Sequence, residues 1–92
     1  MADKFGWNLR YGDNVIEADI PALDCAIQKR IRKAIEGKIT LDPLRFGKPL
    51  RHSLFHLRSL RVGDYRVLYH VDHKNMIVSI VSVGHRSEIY DR

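Results

Sequence analysis

Two short segments hold the side chains best suited to acting on a phosphate. In Leu60-Arg61-Val62-Gly63-Asp64-Tyr65-Arg66 a Gly-Asp pair separates two runs of strand-forming residues, the pattern of a two-residue hairpin turn. With Gly63 and Asp64 in the turn, Val62 pairs with Tyr65, and Arg61 lies opposite Arg66 on the same face. Like charges directly opposite each other destabilise a sheet, so an anion or an acidic side chain is expected nearby. A planar arginine fork matches the oxygens of a phosphate. Salt bridges from Arg61 and Arg66 to Asp64 or Glu88 would satisfy the same pair as a plain rim. Alternation puts Arg58 on the face opposite Arg61. The second segment, Val83-Gly84-His85-Arg86-Ser87-Glu88-Ile89-Tyr90, is an apolar strand that ends in glycine and titratable groups. There His85 can exchange a proton near neutral pH, and Arg86 can hold a phosphate. Tyr90 can stack on a base or donate its hydroxyl, or serve only as a packed anchor for the tail.

Other chemistries have little support. His52, His56, His70 and His73 show no convincing ligand spacing, so no metal and no cofactor are expected. The single cysteine, Cys25, cannot form an internal disulfide and is read as buried filler near a helix start rather than as a reactive thiol. No Gly-rich phosphate loop or nucleophile elbow is present. The 16 Lys and Arg against 11 Asp and Glu give a net charge of +5, most of it in the second half with all five histidines, which favours a polyanionic partner.

The elements that must position these groups follow from periodicity. Residues 1–92 form one domain, because a chain this short closes around a single core. Phe5, Trp7, Leu9 and Tyr11 alternate with small or polar residues as a half-buried strand. A first helix runs from Asp13, its expected N-cap, with Val15, Ile16, Ala18 and Ile20 on its apolar side and Pro21 as its limit. A second, near 24–38, aligns Leu23, Ala26, Ile27, Ile31, Ala34 and Ile35 on one face, opened either by Pro21 or by Asp24. Residues 40–52 read as a loop. Strands at 55–62, 65–71 and 76–83 follow, joined by short turns and therefore antiparallel. The expected class is α+β, with the N-terminal strand followed by two helices that pack on one face of a mostly antiparallel twisted sheet, leaving the other face to a ligand. Apolar stretches of only a few residues argue against a membrane span or a secretory signal, so a cytoplasmic, membrane-free protein is expected.

LRVGDYRVLYHVD followed by VGHRSEIY resembles the RelE/ParE superfamily of toxins from type II toxin-antitoxin systems. The likeness covers nearly the whole chain and includes IQKRIRKAIEG and the GKPL connection. The ending is more similar to the RelE side than to the gyrase-directed ParE side. The resemblance implies a metal-independent endoribonuclease that cleaves mRNA on the ribosome during translation and is neutralised by a cognate antitoxin, with oligomers formed through that antitoxin. It implies catalytic roles for Arg66, Arg86, His85 and Tyr90, and RNA contacts from Arg61, Arg58 and His56. One departure stands out. Where the best-known RelE enzymes carry lysines before the turn, this chain has Leu57 and Ser59, with His56 and Arg58 beside them. A one-residue bulge would bring either of the latter inward; without it, that strand lacks a base. A ParE-like inhibitor of DNA gyrase and a degenerate toxin that only binds its antitoxin are the other readings.

Overall fold

A computed structural model describes residues 7–50 and 56–89. The first strand, β1, spans Asn8–Tyr11 with Leu9 and Tyr11 turned inward; Phe5 lies outside the described residues. The Gly12 carbonyl, rather than the Asp13 carboxylate, closes the next turn by accepting from Val15 and Ile16 N–H. That turn continues as a π-wound segment, Val15–Asp19. Val15 is fully buried, whereas Ile16, expected on the same apolar side, is 56% exposed at the mouth of a groove of about 350 Å³ lined by Ile20, Leu23 and Ile31.

Helix α1, Cys25–Ala34, starts at Asp24, whose carboxylate accepts the N–H of Ile27 at 3.0 Å. That bond decides between the two possible starts. Cys25 is exposed rather than buried, because the first helical position after the cap faces solvent here. The helix runs on through a π-wound turn, Ile35–Ile39, and Ile31, Ile35 and Ile39 form its buried stripe.

The stretch expected to be a plain loop contains a single helical turn, α2, Pro43–Phe46, and a short edge strand, β2, Lys48–Pro49. Proline at the first helical position gives up no hydrogen bond, and a Lys-Pro edge discourages further strand pairing.

The three remaining strands are β3, Arg58–Val62, β4, Tyr65–Asp72, and β5, Ile77–His85. The sheet order is β1-β5-β4-β3-β2, antiparallel except that β1 runs parallel to β5. This is the expected fold class. The β3–β4 register pairs Val62 with Tyr65 and Arg61 with Arg66, as the two-residue turn requires. Gly63 has φ +62, the first central position of a turn that glycine fits and a side chain strains. Gly63→Ala is expected to lower stability by about 1–2 kcal/mol, read as a lower urea midpoint at unchanged slope. The β4–β5 turn is held by the Asp72 carboxylate, which accepts from the side-chain and backbone nitrogens of Asn75. The side-chain bond is the main cause that lowers the Asp72 pKa.

The helical layer covers one face of the sheet. Between them lie Leu60, Val67, Tyr69, Val78, Ile80 and Val83 from the strands, packed with Val15, Ile31, Ile35 and Ile39. Tyr69 is wholly buried, and its hydroxyl donates to the Pro43 carbonyl at 2.6 Å, pinning α2 to the sheet. A Cβ on Gly47 would collide with that hydroxyl, so glycine is needed there for close approach. A register shift between Leu68 and Tyr69 on β4 leaves Val81 of β5 without an opposite residue and turns it outward.

Candidate functional site

The β3–β4 turn gathers cations from four elements. On the uncovered face of the sheet, Arg61 Nε and Arg66 Nη1 both approach the Gly63 carbonyl oxygen, at 3.4 and 3.5 Å. Arg66 Nη1 also donates to its neighbour's carbonyl, Tyr65 O, at 3.2 Å. The acceptor expected near this like-charged pair is therefore, in part, a backbone carbonyl. Bonds of this length are weak. A phosphate at this place would gain charge-assisted donors already aimed at one point.

From the opposite side, Arg30 of α1 lies over the turn: a Cβ built on Gly63 would sit 3.0 Å from Arg30 Nη2. At the third side, β5 gives way to a one-turn helix, α3, Arg86–Ile89. The Arg86 N–H donates to Asp64 O at 2.9 Å, which sets the exposed Arg86 beside the turn. Ile89 is buried and anchors α3.

β5 extends two residues past the expected end at Val83, with Gly84 and His85 paired to Arg66 and Tyr65 of β4, while side chains replace a missing neighbour at its other edge. Beyond Ile80, β1 no longer pairs with it. There Asn14 Nδ2 donates to Val81 O at 3.2 Å, and Asp19 Oδ2 accepts the Val83 N–H at 3.0 Å. Asp19 thus positions the strand that delivers His85 and Arg86.

The expected site residues divide among several places. Arg61, Arg66 and the start of α3 with Arg86 meet at the hairpin tip. His85 pairs with Tyr65 across β4 and β5, so it belongs to the helix-facing side of the sheet, opposite Arg61 and Arg66. Its ring meets Tyr65 edge to face at 5.4 Å and lines a cleft of about 520 Å³ with Asp19, Leu23 and Glu88. The Ser87 N–H donates to His85 Nδ1 at 3.2 Å, which leaves the proton of the neutral ring on Nε2 as an outward donor.

Arg58 takes the face opposite Arg61, as alternation implies, but its guanidinium is spent on structure. Nη2 donates to Leu44 O at 2.8 Å and Gly47 O at 2.6 Å, while the buried Nε has no hydrogen-bond partner among the described residues. β3 pairs regularly from Arg58 to Val62, so no bulge brings Arg58 to the arginine face. His56, at φ +54, lines a groove with His70 and His73 at the other end of the strands. Among the described residues no group of three His, Cys, Asp or Glu could hold a metal ion. Tyr90 lies outside the described residues.

Arg30 and Asp19 did not stand out in the sequence. Each looks like an ordinary helix-surface charge, and each meets its partner only across the fold.

A sequence profile described as the ParE toxin of the type II toxin-antitoxin system, parDE, matches residues 13–90, a range that takes in the whole hairpin tip. The chain belongs to this toxin family. Over 56 residues the toxin is 46% identical to RelG of Mycobacterium tuberculosis, covering 61% of this chain and 64% of RelG, just under two thirds of that relative. The toxin-antitoxin complex RelBE2 from M. tuberculosis is similar over 96% of this chain and all of that one, with TM-score 0.81 and 31% identity. The isolated E. coli RelE toxin shares the fold with TM-score 0.66 and 23% identity, over 92% of each chain. The toxin is therefore a member of the RelE/ParE superfamily with a RelE-like fold. No helix among its described residues is long and apolar enough to cross a membrane.

Proposed function

We propose that this toxin is a ribosome-dependent endoribonuclease that cuts mRNA during translation and is silenced by a cognate antitoxin. The observation that carries the reading is the convergence of Arg61 and Arg66 on the Gly63 carbonyl, with Arg86 beside the same turn. Cleavage at a ribose 2′-hydroxyl forms a bond from that oxygen to phosphorus and breaks the bond to the 5′-oxygen, through a phosphorane that carries extra negative charge. Fixed guanidiniums aimed at that charge lower the barrier with little reorganisation, in the role that a metal ion plays elsewhere. In this scheme Arg66 and Arg61 hold the phosphorane oxygens, and Arg86 holds the phosphate from the α3 side. His85, reaching in from the helix-facing side as the imidazolium, passes its Nε2 proton to the leaving 5′-oxygen, and Tyr90 stacks on the base. The strand before the turn supplies no lysine, with Leu57 and Ser59 at those positions, so the 2′-hydroxyl proton passes to solvent and base catalysis is weak.

The antitoxin reading is supported by likeness to a toxin-antitoxin complex and by two surfaces of matching chemistry. The groove beside Ile16, Ile20 and Leu23 suits the apolar side of an amphipathic segment, and the arginine tip suits its carboxylates. Such a segment, short and acidic, would fold on binding and assemble the complex into oligomers.

The matching profile bears the ParE description, which favours one second reading, inhibition of DNA gyrase without bond chemistry. A translation extract separates the two. Primer extension is expected to show new 5′ ends within translated messages, with EDTA-treated toxin as active as untreated. Intact messages alongside gyrase-dependent DNA breaks would establish the second reading instead.

A further inference from the structure

The exposed side of α1 carries Lys29, Arg30, Arg32 and Lys33, which line one shallow surface groove with Glu36 as its only acid. Lys29 and Lys33 stand four residues apart, and Arg30 and Lys33 three apart, spacings at which like charges oppose helix formation. Because the helix runs on through Ile35–Ile39, none of the four cations lies in its final turn, where the dipole would favour one. The inner end of the row has a definite destination, because Arg30 lies over Gly63, the residue whose carbonyl receives Arg61 and Arg66 from the other side. The basic row and the hairpin tip are thus one continuous cationic surface, bent around the β3–β4 turn.

Resting on the RNA reading above, we propose that this side of α1 is a second phosphate-binding arm of the same site. Arg30 contacts a phosphate next to the scissile one, and Lys29 and Lys33 carry the RNA backbone outward along the helix. The ligand is the sugar-phosphate chain of the cleaved strand. Arginine suits the inner position, where a planar fork must fit over a glycine. Lysine suits the outer ones, where a mobile point charge follows a backbone without reading its sequence.

The test uses the whole toxin and two uncleavable RNA probes that lack 2′-hydroxyls, a trinucleotide and a dodecamer, with binding followed by fluorescence anisotropy across a salt series. Arg30→Gln is expected to weaken both probes roughly two- to fivefold, and to lower the slope of log affinity against log salt by about 0.7 per lost contact. Replacing Lys29 and Lys33 by Gln should weaken only the dodecamer, by a similar factor. Melting temperatures should not fall below the wild-type value, since all three side chains are exposed and their loss relieves like-charge pairs on the helix. Arg45→Gln, an exposed cation on α2 near the Arg58 end of β3, should change neither probe. In cleavage assays Arg30→Gln should raise KM more than it lowers kcat.

The arm is rejected if wild-type toxin binds the probes while Arg30→Gln binds them equally well. It is also rejected if Arg45→Gln matches the effect of Arg30→Gln, which would reduce the effect to net charge. Loss of ribosome binding with unchanged probe binding would reassign the row to ribosomal RNA and reject the proposal as stated. Wild-type toxin that binds neither probe and cuts no message removes the RNA reading itself, a result distinct from the others.

Discussion

Arg66→Ala is expected to lower message cleavage by about 10²- to 10³-fold, the cost of removing one donor aimed at a developing oxyanion, or about 2.7–4 kcal/mol in the transition state. Stability should change little. The side chain lies on the uncovered face of the sheet, outside the apolar core, opposite Arg61 in the β3–β4 register. Arg61 shares the Gly63 carbonyl with it, so Arg61→Ala should also impair cleavage, and the double variant should lose less than the two single losses combined. Single-turnover cleavage in a translation extract, set beside urea denaturation of the same samples, measures both quantities. A folded Arg66→Ala toxin that cuts at the wild-type rate would remove the phosphate role from this pair.

Tyr69→Ala should be the most damaging substitution for folding. Its ring is fully enclosed, so deletion removes transfer free energy and leaves a cavity, together about 3–5 kcal/mol. That is a large share of the roughly 5–15 kcal/mol typical of a domain. The hydroxyl adds a separate contribution, because it ties Pro43 of α2 to the sheet at 2.6 Å. Tyr69→Phe keeps the ring but strands that carbonyl, for about 1–3 kcal/mol. Burial is the main cause that raises the Tyr69 pKa above its ordinary 10.0. With a folded value above the unfolded one, the stabilisation is complete below pH 10 and is lost as pH rises toward the folded value. Tyr11 is raised in the same direction, again chiefly by burial. Denaturant midpoints at pH 7 and above pH 10 should therefore converge in part for Tyr69→Phe, leaving the Tyr11 component. An unchanged alkaline loss would assign the effect to other groups.

What could be read in advance was local. A two-residue turn at Gly63-Asp64 leaves one register open to the flanking strands, so the Arg61–Arg66 pair and the face of Arg58 followed from alternation alone. The α1 stripe at Ile31 and Ile35 followed from helical spacing, and the antiparallel run β3-β4-β5 from its short connections. The parallel seat of β1 on β5 joins residues far apart in the chain, and no turn geometry announces it. The α2 turn depends on Tyr69 reaching Pro43, so Pro43 reads as a loop proline until β4 is in place. The site shows the same division. Period-2 alternation can assign His85 to a face only once the β4–β5 register and its shift near Tyr69 are set. Arg58 had the right face, but its use was decided by the Leu44 and Gly47 carbonyls that α2 brings to it. Arg30 and Asp19 are charges on helical turns until packing sets one over Gly63 and the other against the open edge of β5. Backbone periodicity fixes which way a side chain points, whereas its partner depends on which distant element the core brings within reach.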